Sequence, residues 1–283
     1  AVALVGAVPV FADVDPVTFG INHRSVERLL SHRTKAIIPV HLFGLPCDMT
    51  ALMEIARTAD LKIIEDNAQS LGATCHICGD SRRYAGTVGH IGCTSFFPTK
   101  PLGAFGDGGA LFTDDDNLAT RIRALANHGQ TVRYTHRMIG MNSRLDTLQA
   151  AVLSAKLPHL KDWNEARRNA ALYYTRQLAD IEGIRLPSEP DYATHIYHQY
   201  TIKISPELRD PLRKTLDRQG ISSMIYYPLP LHRQPAYSGL CLTDSDMSVS
   251  EQLSASVISL PIHSHISRDE QDSVIVSNHS FPI

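Results

Sequence analysis

Apolar positions in the first 126 residues alternate between short runs and a helical spacing. Short apolar runs are typical of buried strands, and apolar residues that recur at i, i+3 and i+4 are typical of amphipathic helices. The pattern predicts strands at 8–13, 35–40, 61–65, 91–97 and 109–113, and helices at 25–30, 48–59 and 118–126. Strands that alternate with helices indicate a mostly parallel sheet with both faces covered, so the predicted fold class is α/β.

The pattern changes from residue 145 onward. Two amphipathic helices are predicted at 145–160 and 163–178, followed by a proline-rich stretch at 186–190. After it we predict strands at 199–204 and 222–227 and helices at 207–219, near 250 and at 269–276. This order predicts a smaller α+β C-terminal domain over 156–283, joined to a large domain over 1–155.

Three polar positions have the features of helix starts. Ser25 and Asp48 precede apolar repeats and are predicted N-caps, because their side-chain oxygens can accept hydrogen bonds from free backbone N–H groups. The acidic triple at 114–116 precedes the helical run at 118–126. Acidic residues at a helix start complement the helix dipole, so we interpret the triple as a cap and not as a metal site.

Composition and charge exclude several classes of protein. The chain has 283 residues, of which 43% are hydrophobic and 20% are charged, so it is neither disordered nor fibrous. Lys plus Arg is 27 against 29 for Asp plus Glu, and no basic run is present that would follow a phosphate backbone. Nucleic acid is therefore not an expected partner. The apolar start at 1–7 is far shorter than the roughly 20 residues that cross a bilayer, so no membrane association is expected.

The cysteines indicate a reducing environment. Their number is odd and their positions are mostly far apart, and no signal peptide precedes them, so we expect free thiols and a cytoplasmic protein. Cys75 and Cys78 have the C-x-x-C spacing of a redox or zinc pair. Nothing elsewhere completes a set of four ligands, so no metal site is predicted.

The first candidate for chemistry is Asp66, which follows the apolar pair Ile63 and Ile64. In α/β sheets, ligands bind beyond the carboxyl ends of the strands, where Asp66 is expected. A buried carboxylate needs a cation or hydrogen-bond donors, so Asp66 should face a positive group. The alternative is that Asp66 only caps the next helix.

The second candidate is Lys100, which lies just past the predicted strand at 91–97 and before several glycines. Burial there would lower the pKa of its amine and favour Schiff-base chemistry. The alternative is a solvated lysine in a surface loop. The glycines match neither the dinucleotide fingerprint nor the phosphate loop of nucleotide hydrolases, which disfavours both classes.

The third candidate is the polar cluster at 140–146, which contains Asn142 and Arg144 at the start of a predicted helix. Free backbone N–H groups and a guanidinium both favour an anion such as phosphate. A capping cluster based on Asn142 or Ser143 is an alternative that is compatible with anion binding.

An acid, a lysine and phosphate-binding donors together are what pyridoxal phosphate requires. The runs EDNAQS, CTSFFPTKPLGAFGDGGA, HGQTVRYTHRMIGMNSRLDTLQAAVL and IYYPLPLHRQPAY resemble the DegT/DnrJ/EryC1/StrS family of sugar aminotransferases. This resemblance extends from Pro9 to Pro261. It implies the aspartate-aminotransferase fold, fold type I, with a pyridoxal-phosphate-binding large domain.

The resemblance also implies residue roles. Asp66 matches the acid that pairs with the pyridine nitrogen, and Gln69 matches the residue beside the phenolic oxygen. Ser95 matches a phosphate ligand, and Lys100 matches the lysine that forms the Schiff base. Asn142 matches an asparagine that reaches the phosphate of the neighbouring subunit, which implies a homodimer with shared sites.

Further positions match more loosely. Arg144, Tyr227 and His232 fall near the positions at which family members contact substrate. By resemblance, the expected reaction moves an amino group from L-glutamate to a keto-sugar on a nucleoside diphosphate, for amino-sugar and polysaccharide biosynthesis. The longer motifs are most similar to those of members that act at C3.

The sequence leaves two alternatives to the aminotransferase function. Some members replace the lysine with histidine and dehydrate the sugar, which the presence of Lys100 disfavours. Family members also carry a segment ahead of Pro9 that contributes to the phosphate site, and residues 1–7 resemble the end of a helix within it. The expectation is a chain that lacks this N-terminal segment, and the second alternative is a non-catalytic relative that binds sugar nucleotides.

Overall fold

The computed structural model describes residues 1–77 and 81–281. Over these ranges the strands are β1 (Val10–Phe11), β2 (Ala36–Ile37), β3 (Lys62–Asp66), β4 (Thr74–Ile77), β5 (Ser81–Tyr84), β6 (Ile91–Ser95), β7 (Gly109–Phe112), β8 (Gln130–Val132), β9 (Thr135–His136), β10 (Tyr200–Lys203), β11 (Leu242–Thr243) and β12 (Val257–Leu260). The helices are α1 (His23–Leu29), α2 (Met49–Thr58), α3 (Asp116–Ala126), α4 (Thr147–Lys156), α5 (Leu160–Leu178), α6 (Pro206–Arg218), α7 (Ser248–Ser256) and α8 (Arg268–His279).

A four-stranded sheet with the order β2-β3-β6-β7 organises the first half. β2 and β3 are parallel, β3 and β6 are parallel, and β7 runs antiparallel to β6. Asp66 pairs with Cys93 across β3 and β6, so the carboxyl ends of these two strands lie side by side. The mixed but mainly parallel sheet confirms the predicted α/β class.

Helix α2 covers this sheet with the face that its spacing predicts. Leu52, Ile55 and Ala56 are buried and share a core cluster with Ile63 of β3. Asp48 accepts hydrogen bonds from the N–H groups of Thr50 and Ala51, which confirms it as the N-cap. Apolar burial and a satisfied helix start therefore both fix α2 against the sheet.

A second core forms in the C-terminal half around the antiparallel pair β10 and β12. Helices α5, α6 and α8 surround this pair, and their buried side chains form one cluster with those of the strands. Among its fully buried members are Tyr174, Tyr200, Ile202, Leu212, Leu216 and Ile258. Helix α5 also reaches the first half, because the Asn164 amide donates to the Leu71 carbonyl.

Residues from the two ends of the chain meet in a buried polar network. β1 pairs in parallel with β11. The Asp13 carboxylate accepts from the N–H groups of Val249 and Ser250 at the start of α7. Asp13 therefore supplies a cap for a helix that lies 236 residues further along the chain.

Several predicted boundaries are wrong. Helix α1 starts at His23 with Asn22 as its N-cap, while the buried hydroxyl of Ser25 donates to Asp244. Residues 222–227 form no strand and contribute only a bridge from Met224 to Ser259. The strand next to β10 is β12, whose apolar run VISL directly follows α7. Residue spacing alone did not separate that run from the preceding helix.

The predicted helix at 145–160 begins at Thr147 and changes to a 3-10 turn at Leu157–His159 before α5. The predicted domain boundary at 155/156 falls next to this turn, and the division into two domains stays a prediction. No helix within the described ranges is long and apolar enough to cross a membrane.

Candidate active site

The ends of β3 and β6 place two of the predicted residues on neighbouring strands. Asp66 is the last residue of β3, and Ser95 is the last residue of β6. Lys100 follows five residues after Ser95, in the loop that leads to β7. The carboxyl edge of the parallel pair therefore carries an acid, a hydroxyl and an amine.

The backbone N–H and carbonyl of Asp66 are both hydrogen-bonded to the segment that follows β2. Its N–H donates to the Pro39 carbonyl at 2.8 Å, and its carbonyl accepts from the His41 N–H at 3.0 Å. One side-chain oxygen accepts from the N–H of Ala68 at 3.0 Å. Residues 68–72 form turns, so the alternative that Asp66 caps a following helix is wrong. Over residues 1–77 and 81–281, the second carboxylate oxygen accepts no hydrogen bond, so it can bind another partner.

Lys100 is partly buried, and its environment changes its acidity. Burial lowers the pKa of its amine, and the Asp66 carboxylate opposes part of that shift. Among the described residues, Nζ has no hydrogen-bond partner. The loop closes tightly behind the lysine, since a Cβ on Gly103 would lie 2.3 Å from the Pro98 carbonyl oxygen. Only glycine fits that position without movement of the backbone.

Gln69 joins two distant parts of the site. Its Oε1 accepts from the Phe43 N–H at 2.6 Å, and its Nε2 donates to the Tyr227 hydroxyl oxygen at 3.2 Å. Burial raises the pKa of the Tyr227 hydroxyl, so this group is neutral at pH 7. The structure therefore brings Gln69 and Tyr227 together, although they lie 158 positions apart in the sequence.

Ser95 has a hydroxyl that can act as a donor. Its Oγ accepts from the Phe97 N–H at 3.2 Å. An accepted bond uses a lone pair of the oxygen and leaves the O–H free to donate, which suits an anionic oxygen such as that of a phosphate.

Three predicted residues lie outside this group. Asn142 and Arg144 are exposed, and Asn142 forms a bridge with Asn127 at the end of α3. His232 lies 3.1 Å from the Glu251 carboxylate. Over residues 1–77 and 81–281, no hydrogen bond joins any of these three to Asp66, Gln69, Ser95, Lys100 or Tyr227.

Two buried histidines at the site were missed by the sequence interpretation. His41 contacts Glu65 directly behind Asp66. His198 is buried, and its Nδ1 has no hydrogen-bond partner among the residues that the structure describes. Burial together with the charges of Arg167 and Lys100 lowers its pKa to about 3. For His41 a signal was present, because it directly follows the predicted strand at 35–40, the position at which polar side chains reach a sheet's carboxyl edge.

The donor set has the chemistry that pyridoxal phosphate needs. Asp66 offers a carboxylate oxygen for a protonated pyridine nitrogen, Lys100 offers an amine for the aldehyde carbon, and Ser95 offers a hydroxyl for the phosphate. Within the part of the chain that the structure describes, no group of three or more metal-binding side chains is present. Cys75 is buried in β4, and Cys78 lies outside the described residues.

Comparison with known proteins decides the family. The sequence profile of the DegT/DnrJ/EryC1/StrS aminotransferase family matches residues 1–277. The chain belongs to this family. The predicted resemblance is thereby confirmed, and so are the fold type and the assignment as a pyridoxal-phosphate-dependent aminotransferase.

Individual relatives cover most of the chain. It is 44% identical over 276 residues to a "Pleiotropic regulatory protein" of Geobacillus stearothermophilus, covering 97% of this chain and 72% of that protein. It is 43% identical over 271 residues to a UDP-N-acetyl-3-dehydro-alpha-D-glucosamine 3-aminotransferase of Acidithiobacillus ferrooxidans, covering 96% of this chain and 70% of that one. A crystal structure of a family aminotransferase from Brucella abortus matches this chain with a TM-score of 0.91 at 41% sequence identity. The match covers 99% of this chain and 74% of the Brucella chain.

Proposed function

We propose that this protein transfers an amino group from L-glutamate to the C3 keto group of a nucleotide-linked sugar, in amino-sugar and polysaccharide biosynthesis. The observation that carries the proposal is Lys100, a partly buried amine in the loop after β6, whose pKa is lowered by burial and partly restored by the charge of Asp66. The named 3-aminotransferase activity of the Acidithiobacillus relative supports C3 as the position of amination.

Pyridoxal phosphate, when bound, supplies an aromatic ring that accepts the electron pair left when a proton leaves the donor's α-carbon. Asp66 would hold the proton on the ring nitrogen, which keeps the ring electron-poor. Gln69 would lie against the ring near its phenolic oxygen, and Ser95 would donate its O–H to the phosphate. These roles use the carboxylate oxygen, amide and hydroxyl that the local hydrogen bonds orient.

Lys100 would act as the base that carries the proton. Its lowered pKa leaves a larger fraction of the amine uncharged near neutral pH, and an uncharged Nζ can remove a proton from the α-carbon of glutamate. The same Nζ would return a proton to the sugar carbon in the second half of the reaction. The acid and the base follow the ends of neighbouring strands, with Asp66 at the end of β3 and Lys100 five residues after the end of β6.

The substrate side involves the three residues that match the family more loosely. Tyr227, through its bond to Gln69, would contact substrate over the ring. His232 and Arg144 would bind other parts of the sugar nucleotide. A nucleoside diphosphate is anionic, and a guanidinium such as that of Arg144 can bind two of its oxygens at once.

We also propose a homodimer with shared sites. Asn142 is exposed and makes no hydrogen bond to the Lys100 group of its own chain within the described residues, which is consistent with a role toward a neighbouring subunit. The segment around it carries exposed apolar side chains that a partner would bury, among them Tyr134, Ile139, Met141 and Leu148. The exposed fraction of Ile139 reaches 93%.

We also propose a cytoplasmic location, because the cysteines in the described part of the chain form no disulfide. Cys47, Cys75, Cys93 and Cys241 are free thiols. Thiols persist in the reduced state in the cytoplasm, where disulfides are rare.

Turnover with a labelled donor tests the proposed reaction. The protein is incubated with pyridoxal phosphate, nitrogen-15-labelled L-glutamate and a panel of nucleotide-linked 3-keto and 4-keto sugars, and the products are identified by mass spectrometry. We expect the label to move onto 3-keto sugars and 2-oxoglutarate to form in equal amount. A product that loses a hydroxyl without gaining nitrogen would instead indicate a dehydratase.

The family and its named aminotransferases disfavour the alternative of a non-catalytic relative. Such a relative would bind a sugar nucleotide without transfer of the label.

A further inference from the structure

A fully buried acid and base lie directly behind the candidate site. His41 and Glu65 are both inaccessible to solvent, and His41 Nε2 lies 2.8 Å from Glu65 Oε2. Glu65 also accepts from three backbone N–H groups, those of Gly86 at 2.8 Å, Val88 at 2.7 Å and Gly89 at 2.6 Å. The carboxylate thus has four donors, which is the number of partners that an ionised carboxylate accepts.

The hydrogen bonds fix the protonation of His41. The Cys47 N–H donates to Nδ1 at 3.1 Å, so Nδ1 acts as an acceptor and Nε2 carries the proton that is donated to Glu65. Burial lowers the pKa of the ring, and its contacts with Cys47 and Glu65 raise it and favour a second proton. That second proton would have to sit on Nδ1, where it would face the Cys47 N–H. This hydrogen-bond geometry outweighs the raised pKa, so the ring keeps one proton, on Nε2.

This pair is connected to Asp66 by the main chain. Glu65 and Asp66 are consecutive in β3, so their side chains point to opposite faces of the strand. The N–H of His41 donates to the Asp66 carbonyl. His41 therefore bonds β3 through its backbone at Asp66 and through its ring at Glu65, and it restrains the strand end from two directions.

The same pair is connected to Gln69 through the segment 41–47. Phe43 in this segment is buried at a φ of 58°, a conformation that a bulky side chain rarely adopts. Its N–H donates to Gln69 Oε1 at 2.6 Å. The ring of His41 connects the two ends of this segment, because its Nδ1 accepts from the Cys47 N–H. It also attaches the segment to β3, because its Nε2 bonds to Glu65. The strained conformation of Phe43 is thereby kept in place.

We propose that His41 and Glu65 form a positioning unit that sets the orientation of Asp66 and Gln69 toward the cofactor ring. Both side chains are inaccessible to solvent, so they would act on the cofactor through Asp66 and Gln69 and not by direct contact. The proposal rests on the proposed function, since it assumes that Asp66 and Gln69 face the ring. It assigns a role to the glutamate of the EDNAQ run and to a histidine that lies 24 positions earlier.

Cofactor affinity in matched variants tests the proposal. Glu65→Gln and His41→Ala break the unit, whereas His41→Gln keeps one donor and one acceptor in place of the neutral imidazole. Equilibrium dialysis measures the Kd for pyridoxal phosphate and for pyridoxal, which lacks the phosphate. We expect Glu65→Gln and His41→Ala to weaken both ligands by the same factor, about tenfold or more, as for supporting residues at metal sites. His41→Gln should stay within about threefold of the wild type, a difference of well under 1 kcal/mol.

Asp13→Asn is the control for general loss of stability. Asp13 is also a buried carboxylate with several donors, but it bonds α7, and in the described part of the chain it makes no hydrogen bond to the candidate site. The Asp13→Asn variant should unfold at a lower urea concentration than the wild type and leave the Kd of both ligands unchanged. All titrations are made at a temperature at which circular dichroism shows a folded protein. If Glu65→Gln does not fold, the comparison of His41→Ala with His41→Gln decides the question.

Distinct outcomes separate the two proposals. Unchanged affinity in His41→Ala and Glu65→Gln overturns the positioning unit, and so does an equal loss in Asp13→Asn. Equal loss in His41→Gln and His41→Ala contradicts the neutral imidazole as the active form. A wild-type protein that binds neither ligand contradicts the proposed function itself, independently of the variants.

Discussion

One buried histidine, His195, behaves as a neutral group in the folded chain. His195 is 4% exposed, its ring stacks on Tyr197 with centroids 3.9 Å apart, and its Nδ1 accepts from the Tyr197 N–H. Burial and the charge of Arg168 lower the pKa of His195 to about 3. An unfolded histidine titrates near 6.5, so acid favours the unfolded chain at this residue.

This shift predicts a dependence of stability on pH. Because the folded pKa is lowered, the unfolded state binds more protons between pH 6.5 and 3, and stability falls as the pH falls through that window. His195→Asn keeps an acceptor for the Tyr197 N–H and removes the titrating group. Between pH 7.5 and 5, urea unfolding of the variant should lose about 2 kcal/mol less than that of the wild type. An equal loss in both proteins would contradict the assignment.

Residues that directly follow a predicted apolar strand were identifiable from the sequence. Asp66 is an example, and the structure places it as the last residue of β3; Lys100 follows the end of β6 by five residues, and the roles of both stay predictions. Contacts between distant segments were not identifiable. The bond from Gln69 to Tyr227 and the pair of His41 with Glu65 depend on how the chain folds back, which local spacing does not encode.

At the scale of elements, helix α4 holds the loop that carries Lys100. Gln149 Oε1 accepts from the Phe105 N–H at 2.8 Å. Lys156 Nζ donates to the Gly103 carbonyl at 2.6 Å and lies 5.0 Å from the centroid of the Phe105 ring. Two side chains of one helix face therefore fix residues 103–105, just beyond the lysine.

Removing the charged contact should loosen this loop. Lys156→Met keeps the length of the side chain and loses the hydrogen bond and the cation–π contact, which together are worth about 2 kcal/mol. Urea unfolding should show that loss, and hydrogen exchange should rise at residues 103–106. Lys161→Met, at an exposed position of α5, is the matched control and should change neither measurement. Equal effects of the two substitutions would contradict the role of Lys156.

Element types were predicted better than their ends. The amphipathic spacing of α2 and the acidic start of α3 are confirmed, with Asp48 and Asp115 as the caps. The predicted strand at 222–227 is wrong: Pro228 directly follows the segment, and the segment pairs with β12 only through the bridge from Met224 to Ser259. Sequence patterns record which residues are apolar, whereas strand formation also needs a free partner edge.

At the scale of the whole molecule, an exposed apolar surface predicts self-association. Ile139 and Met141 are 93% and 63% exposed, and both lie within three residues before Asn142. Light scattering after size-exclusion chromatography should give about 62 kDa, twice the chain mass of 31.2 kDa. Ile139→Asp should shift this mass toward that of a single chain.

Val276→Asp serves as the control for the surface, because Val276 is also exposed and apolar but lies on α8. That variant should keep the mass of the dimer. A wild-type mass of one chain, or dissociation by both variants alike, would contradict the proposed interface.

The central claim is that Lys100 binds the cofactor covalently and acts as the base. Reduction of the pyridoxal-phosphate-loaded protein with borohydride, followed by peptide mass spectrometry, tests it most directly. We expect the visible absorbance of the bound cofactor to bleach, the phosphopyridoxyl group to appear on the peptide that contains Lys100, and Lys100→Ala to show neither signal. A label on a different lysine, or a Lys100→Ala variant that keeps the bleachable band, would contradict the account.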